Sequence, residues 1–336
     1  MLRKKRSSRG YKKRKRLLKI LIGGILIFGI LFLSSPYLKH VMAFRGAIDR
    51  YDFIALSQEL SWMEDKAGWL KVVPAIREGE LWLKLNQGSY ENLEADLLKY
   101  DDDTQRLWLL QLYCLQGKPK EAESILQTFK AFPLQRLAEG LLWYEEESYE
   151  EAVNVLLTIN DTDLNREEQV LKNIALTRSH MAIGDLDRAQ KSWRTASETS
   201  SAHPQVLATE YDLALTLGQW DRAKELSRQL VVTDNISYTQ QLLVKKAILS
   251  LVIGERERYE DTLKEIDKLE DGEACLQYLA GIEVYEHGDF VKAAEHLQGA
   301  LDLGLPQFVE KDAIIALQQA NERIEAENAL QKITGK

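Results

Sequence analysis

A short turn signature recurs along this chain at a nearly constant interval. It consists of a glycine, often an aromatic residue two positions later, and an alanine five positions later. Its first position falls in turn at Gly88, Gly117, Glu147, Gly184, Gly218, Gly254, Gly288 and Asn321. The mean interval is about 33 residues, which is the length expected of stacked helix pairs. A chain with this period is predicted to fold as one quasi-linear array, because each unit packs mainly on its neighbours.

The residues on either side of each turn predict two amphipathic helices. Apolar residues recur at intervals of three and four, as in Leu107, Leu110 and Cys114 before one turn. Glycine is favoured in the turn because it adopts positive φ without a steric penalty. A small side chain five positions later lets the second helix close on the first. Alanine fills that position as Ala122, Ala152, Ala189, Ala223, Ala293 and Ala326.

These residues resemble the tetratricopeptide repeat (TPR), whose turn carries a glycine, an aromatic residue and an alanine in this order. The units that match best begin at Gly184, Gly218 and Gly288, and the resemblance covers roughly residues 74–333. It implies an all-α, right-handed superhelical solenoid of about 8 to 9 helix pairs. The family also places a small residue seven positions before the turn, where Gly140, Thr177, Ala247 and Gly281 match.

A further helix pair is predicted ahead of the matched repeats. Its turn would lie at residues 51–53, with Leu56 in the small-residue position and Leu60 on the buried stripe. The predicted TPR-like domain therefore spans residues 39–336.

The resemblance also implies a concave groove, lined by the first helix of each pair, that holds peptides or helices. The candidate groove residues are Trp82, Leu141, Tyr144, Met181, Ile248, Tyr278, Ile282 and Tyr285. This apolar and aromatic surface suits an amphipathic helix or an extended hydrophobic segment. Chaperone-binding members of the family clamp a terminal carboxylate with groove cations, but here Arg178 and Lys245 stand nearly alone. In the alternative interpretation, tight coiling or a register shift of one residue places most of these side chains in the core.

The amino-terminal region predicts a membrane anchor. Residues 3–19 carry eleven lysines and arginines, and the sequence from Ile20 to Leu38 is uncharged. Such a helix spans about 28 Å, close to the hydrocarbon thickness of a bilayer. We therefore predict a basic cytoplasmic tail at 1–16 and a transmembrane signal-anchor helix at 17–38. The positive-inside rule then places the repeats outside a bacterial cytoplasmic membrane. A cleaved signal peptide ending at Ala43 is the alternative.

Charge and motif content limit the functions of the repeats. Residues 1–50 carry 14 basic residues against one acid, whereas the other residues carry 30 basic residues against 51 acidic ones. A domain this acidic repels the phosphate backbone of nucleic acids, so we expect no nucleic-acid binding. The chain lacks the common hydrolase, phosphate-loop and zinc motifs, so we expect no catalytic residues, cofactor or metal. Cys114 and Cys275 are interpreted as core residues too far apart for a disulfide.

The leading functional hypothesis is a membrane-tethered scaffold for protein or peptide partners in the bacterial envelope, with the bilayer contacted through the amino-terminal helix. A chaperone-like holdase for secreted or translocating chains is the second hypothesis. Promiscuous binding of unfolded chains would distinguish a holdase from a scaffold that binds one folded partner stoichiometrically. Mitochondrial import receptors resemble this layout, but the basic tail argues against their orientation. The partner and the oligomeric state are not specified by the sequence.

Overall fold

The computed structural model describes residues 37–50, 52–88, 90–230, 236–269 and 272–334. Every regular element in these ranges is helical. The predicted basic tail at 1–16 lies outside the described residues, as does the predicted transmembrane helix at 17–38 except for its last two residues. No helix within the described ranges combines the length and the apolarity needed to cross a bilayer.

Helix α1 covers residues 37–50. The first half of the array continues with α2 (Phe53–Ala67), a 3₁₀ helix η1 (Gly68–Val72), α3 (Pro74–Gln87), α4 (Leu93–Leu97), α5 (Asp103–Leu115), α6 (Pro119–Leu126), α7 (Phe132–Glu145) and α8 (Tyr149–Leu156). After the 3₁₀ turn η2 (Asp161–Asp163) come α9 (Arg166–Ala182), α10 (Leu186–Ser200), α11 (Pro204–Thr216), α12 (Trp220–Gln229), α13 (Ile236–Val252), α14 (Arg256–Ile266), α15 (Gly272–Glu286), α16 (Phe290–Asp302) and α17 (Gln307–Thr334).

The chain divides into two compact units, with the boundary between Leu83 and Lys84. In the first unit, α1 and α2 form the additional helix pair predicted ahead of the repeats. The side chains of Leu56 and Leu60 are buried, as the pattern predicts. His40 on α1 stacks on Trp62 of α2 with ring centroids 3.5 Å apart. Helix α3 then approaches α1 so closely that a Cβ added at Gly79 would clash with Phe44.

The second unit confirms the predicted turns. Positive φ angles are found at Gly117, Glu147, Gly184, Gly218, Gly254 and Gly288, and also at Gly88, each at a position assigned from the repeat. The turn alanines Ala122, Ala152, Ala189, Ala223 and Ala293 are fully buried. Within each pair the second helix packs on the first, and successive first helices pack on one another. The unit is thus a stack of helix pairs whose left-handed turns and small residues set the spacing.

The eighth predicted turn, at Asn321, is wrong. Helix α17 runs without a break from Gln307 to Thr334, so Asn321 lies in its interior. Ala326 and Leu330, which were expected on a buried stripe, are exposed. The sequence around them is rich in glutamate, alanine and glutamine, which favour the helix, and it has no glycine to end it. The described residues therefore contain eight helix pairs followed by one long terminal helix.

The small residues seven positions before a turn allow close helix contact. A Cβ added at Gly140 would lie 2.5 Å from the Leu156 side chain of the paired helix α8. At Gly281 it would lie 2.7 Å from Leu297 Cγ and 3.2 Å from the Leu297 backbone nitrogen on α16. Both glycines are buried. A missing side chain on the first helix therefore makes room for the leucine of the second.

Candidate protein-binding surface

Five charged side chains of the second unit form a series that follows the repeat. They are Glu145 on α7, Arg178 on α9, Asp212 on α11, Lys245 on α13 and Asp312 on α17, and we call them the charge ladder. Successive members lie 33 or 34 residues apart, with Tyr278 on α15 occupying the position between Lys245 and Asp312. Charges of opposite sign therefore alternate along the first helices of the stack.

One direct ion pair joins two members of the charge ladder. Lys245 Nζ lies 2.5 Å from Asp212 Oδ1. Arg178 donates from Nε to Thr209 Oγ1 at 3.2 Å. Burial lowers the pKa of Arg178, but the attraction of Tyr144, Asp212 and Glu145 outweighs it and leaves the pKa raised. Each cation thus lies among acceptors contributed by neighbouring pairs.

The two ends of the charge ladder are carboxylates with raised pKa values. Burial raises the pKa of Glu145 against the opposing effect of Arg178. Burial likewise raises the pKa of Asp312 against the effects of Lys245 and Lys311. Both side chains nevertheless reach solvent. Neighbouring protein thus partly desolvates two carboxylates that remain open to water.

One ion pair joins parts of the second unit that are far apart in sequence. Lys311 Nζ on α17 lies 2.9 Å from Glu147 Oε2 in the turn between α7 and α8. Four helix pairs, α9 to α16, separate these residues. A straight stack of packed helices would hold them tens of ångströms apart at about 8–10 Å per helix. The stack must therefore curl back on itself.

The predicted groove residues differ in their exposure. Trp82, at 6% exposure, and Tyr278, at 4%, are buried, and Trp82 belongs to the first unit. Ile248 and Ile282 are half-buried against the hydrophobic cluster of the carboxyl-terminal pairs. Leu141 is half-buried on α7. Their role as a binding surface stays a prediction.

The other three groove residues occupy one equivalent position. Tyr144, Met181 and Tyr285 are half-buried, and each lies three residues before a turn. The ring of Tyr144 packs against the turn aromatic Tyr149 at 5.9 Å, and Tyr285 packs against Phe290 at 5.3 Å. Arg178 lies one helical turn before Met181, so the two share a face of α9. The aromatic position and the charge ladder are thus neighbours.

The structure gives acidic neighbours to Arg178 and Lys245, the two cations named on the predicted groove face. Lys245 is paired with Asp212, and Arg178 lies near Asp212 and Glu145. The acidic members were not predicted, because the family's carboxylate clamp consists of cations and asparagine. The detectable signal was the 33- or 34-residue spacing of alternating charges.

The described residues offer little for metal binding or thiol chemistry. Within the described ranges, no three histidine, cysteine, aspartate or glutamate side chains are placed to hold a metal ion. Cys114 and Cys275 form no disulfide with each other, and Cys275 is buried. Burial raises the pKa of Cys114 to about 12, so its thiol is a poor nucleophile at neutral pH.

Comparison with known proteins identifies the type of fold. The sequence matches no protein-family profile and no curated protein. Among solved structures, a chain in the APC/C hetero-tetramer Cut9–Hcn1 matches 81% of this chain with a TM-score of 0.57 and 14% identity. This chain spans about half of that one, 53% of its length.

Two other solved structures are similar at lower TM-scores. A tetratricopeptide repeat protein from Parabacteroides merdae matches 84% of this chain and 99% of its own, with a TM-score of 0.45 and 16% identity. PilF from Pseudomonas aeruginosa matches 60% of this chain and 95% of its own, with a TM-score of 0.40 and 17% identity. The described turns and the Cut9–Hcn1 likeness together make this a TPR-like helical-repeat protein.

Proposed function

We propose that this chain is a membrane-tethered TPR-like scaffold that recruits or assembles proteins at the outer face of a bacterial cytoplasmic membrane. The charge ladder is the observation that carries the proposal. Its charged groups come from five helices, and we assign them to the inner face of the curl, beside the half-buried Tyr144 and Met181. Such a surface offers apolar contact and oriented charges together, which suits a helix or extended segment of a protein partner.

The charges of the inner face also define the chemistry of the partner. Glu145 and Asp312 end the charge ladder, and burial raises both pKa values despite the cations beside them. A lysine or arginine of a bound segment could pair with either exposed carboxylate. The preferred segment therefore has an apolar part, which meets Tyr144 and Met181, and at least one basic residue.

The tether rests on the sequence of residues 1–38. Eleven positive charges precede an uncharged run of membrane-spanning length. Retention of this segment is favoured over cleavage after Ala43, because cleavage would remove the first half of α1. The lost residues would include His40, which stacks on Trp62 and lies 2.7 Å from Glu59. Tethering confines the search for partners to the membrane surface and raises their effective concentration.

Partner recognition can be tested with a photo-crosslinking amino acid at Met181 in the full-length protein expressed in a bacterial host. A scaffold should give one or a few discrete crosslinked products. Exchanging the charges, with Asp212→Lys and Lys245→Asp together, keeps that ion pair but breaks the alternation of charge along the ladder, and should abolish those products. The matched control exchanges the exposed outer pair with Asp261→Lys and Lys264→Asp, whose atoms lie 2.8 Å apart, and should preserve them.

Two results would count against recognition by the inner face. Products that persist after the ladder exchange would show that another surface binds the partner. A continuous smear of client proteins, equally strong with both exchanged variants, would favour the holdase. Topology is tested separately with a carboxyl-terminal alkaline phosphatase fusion. An inactive phosphatase together with a bright cytoplasmic fluorescent fusion would overturn the outward orientation.

A further inference from the structure

The first unit exposes a compact group of aromatic and aliphatic side chains. The ring of Tyr37 lies 5.7 Å from that of Trp69 and 5.9 Å from that of Trp62. Trp69 is 61% exposed and Val72 is 80% exposed. Residues three apart in a 3₁₀ helix lie above one another, so Trp69 and Val72 share one face of η1. We call Tyr37, Trp62, Trp69 and Val72 the aromatic patch.

An exposed apolar group such as the aromatic patch is expected to be covered by a binding partner. Tryptophan is among the side chains that gain most from leaving water, and here it is grouped with an exposed valine. Leu38 and Met42, four residues apart on α1, are also exposed, at 57% and 66%. The unit therefore has more exposed apolar surface close to its amino-terminal end than scattered single residues would give.

We infer that the aromatic patch lies in the headgroup region of the lipid bilayer and orients the first unit on it. The inference rests on the membrane tether of the proposed function. The uncharged run of the sequence ends at Leu38, within the first turn of α1. Tyr37 therefore marks the end of the predicted membrane-spanning segment, and Trp69 is one ring contact away at 5.7 Å. If Tyr37 lies at the membrane–water interface, Trp69 must lie close to that interface as well.

The chemistry of the aromatic patch fits that depth. Tyrosine and tryptophan are enriched where a membrane protein crosses from hydrocarbon to water, because their rings are apolar and their polar groups can hydrogen-bond. The nearby cation Lys71 is already paired with Glu64 at 2.5 Å and with Glu80 at 3.5 Å. Insertion of the rings does not require lipid charge, so zwitterionic lipid should suffice.

The test uses the full-length chain reconstituted in phosphatidylcholine vesicles with or without brominated acyl chains, which quench nearby tryptophans. In Trp69→Phe the quenched part of the tryptophan emission should fall at least twofold. The matched control is Trp220→Phe, which removes a 40% exposed tryptophan of the second unit and should leave that quenched part unchanged. In a second comparison, Val72→Asp should reduce quenching, whereas Val291→Asp, at a 53% exposed position on α16, should not.

The outcomes separate this inference from the tether itself. Extraction of the protein by alkaline carbonate would overturn the tether, and the bilayer contact with it. Firm membrane integration with equal quenching in Trp69→Phe and Trp220→Phe would overturn only the aromatic contact. Circular dichroism of Val72→Asp identifies loss of fold, and the Trp69→Phe comparison stands without that variant.

Discussion

At the scale of single residues, Glu147 departs from the turn rule. It occupies a turn position that glycine fills elsewhere, and its φ of 57° lies in the left-handed region. This conformation costs a non-glycine residue about 1 kcal/mol or more. The following helix compensates, because Ala152 and Leu156 are completely buried. Glu147 also forms the ion pair with Lys311, so it combines backbone strain with a long-range contact.

Replacing Glu147 with glycine separates these two effects. In a Lys311→Met background, where the ion pair is absent, Glu147→Gly should raise the free energy of unfolding by about 0.5–1 kcal/mol, because relief of left-handed strain exceeds the added chain entropy. When Lys311 is present, Glu147→Gly also removes an exposed ion pair. The gain in the free energy of unfolding should then be smaller by the contribution of that pair, about 0–1 kcal/mol. Thermal unfolding of the full-length protein in detergent, followed by circular dichroism, measures both. If Glu147→Gly lowered the free energy of unfolding in the Lys311→Met background, Glu147 would not be strained.

At the scale of helices, spacing within a pair depends on missing side chains. Gly140 and Gly281 each face a leucine of the second helix, and a Cβ at either position would overlap it. Gly299 on α16 is different, because an added Cβ there meets no atom within 4 Å. Glycine is therefore required at the first two positions and is only tolerated at the third.

Alanine substitutions at two neighbouring helices should have opposite effects. Gly281→Ala should destabilise the protein by about 2 kcal/mol, since overpacking displaces Leu297. Gly299→Ala should stabilise it by about 0.5–1 kcal/mol, because alanine favours the helix and restricts the unfolded chain. Thermal unfolding of the two variants against the parent provides the comparison. Equal shifts of the unfolding temperature, with the same sign in both variants, would show that helix propensity rather than close contact determines the effect of Gly281→Ala.

Local features of the fold could be predicted from the sequence, and long-range ones could not. The turns at Gly184 and Gly288 follow from glycine's freedom at positive φ, which a sequence reveals. Asn321 and Glu147 both lack glycine, yet only Glu147 forms a turn. The difference is that the residues after Glu147 pack against a neighbouring helix, whereas Leu330, which follows Asn321, stays 60% exposed. The charge ladder repeats visibly in the sequence, but whether charges on adjacent first helices meet depends on how the pairs pack.

At the scale of the whole second unit, the curl of the stack is open to a direct chemical test. A zero-length carbodiimide reagent joins lysine and carboxylate groups that are in contact. It should link Lys311 to Glu147 within one chain, because their polar atoms lie 2.9 Å apart. Mass spectrometry of the monomer fraction should identify the linked peptides. Lys311→Arg keeps the charge but cannot react, so the link should disappear in that variant.

The Lys245–Asp212 pair serves as an internal positive control, with its atoms 2.5 Å apart between adjacent first helices. Recovery of that link without the Lys311–Glu147 link would mean that the stack is more open in solution than described here. A Lys311–Glu147 link found only in dimers would place the contact between two chains.

The contact between Lys311 and Glu147 also restricts how this protein can evolve. Four helix pairs fill the interval between the two residues. Duplication or loss of one pair would displace Lys311 by about the width of two packed helices, or 16–20 Å. Many repeat proteins tolerate such changes because each unit contacts only its neighbours. Here such a change between α8 and α17 would break the ion pair, so homologues that keep the pair should vary in length outside this interval.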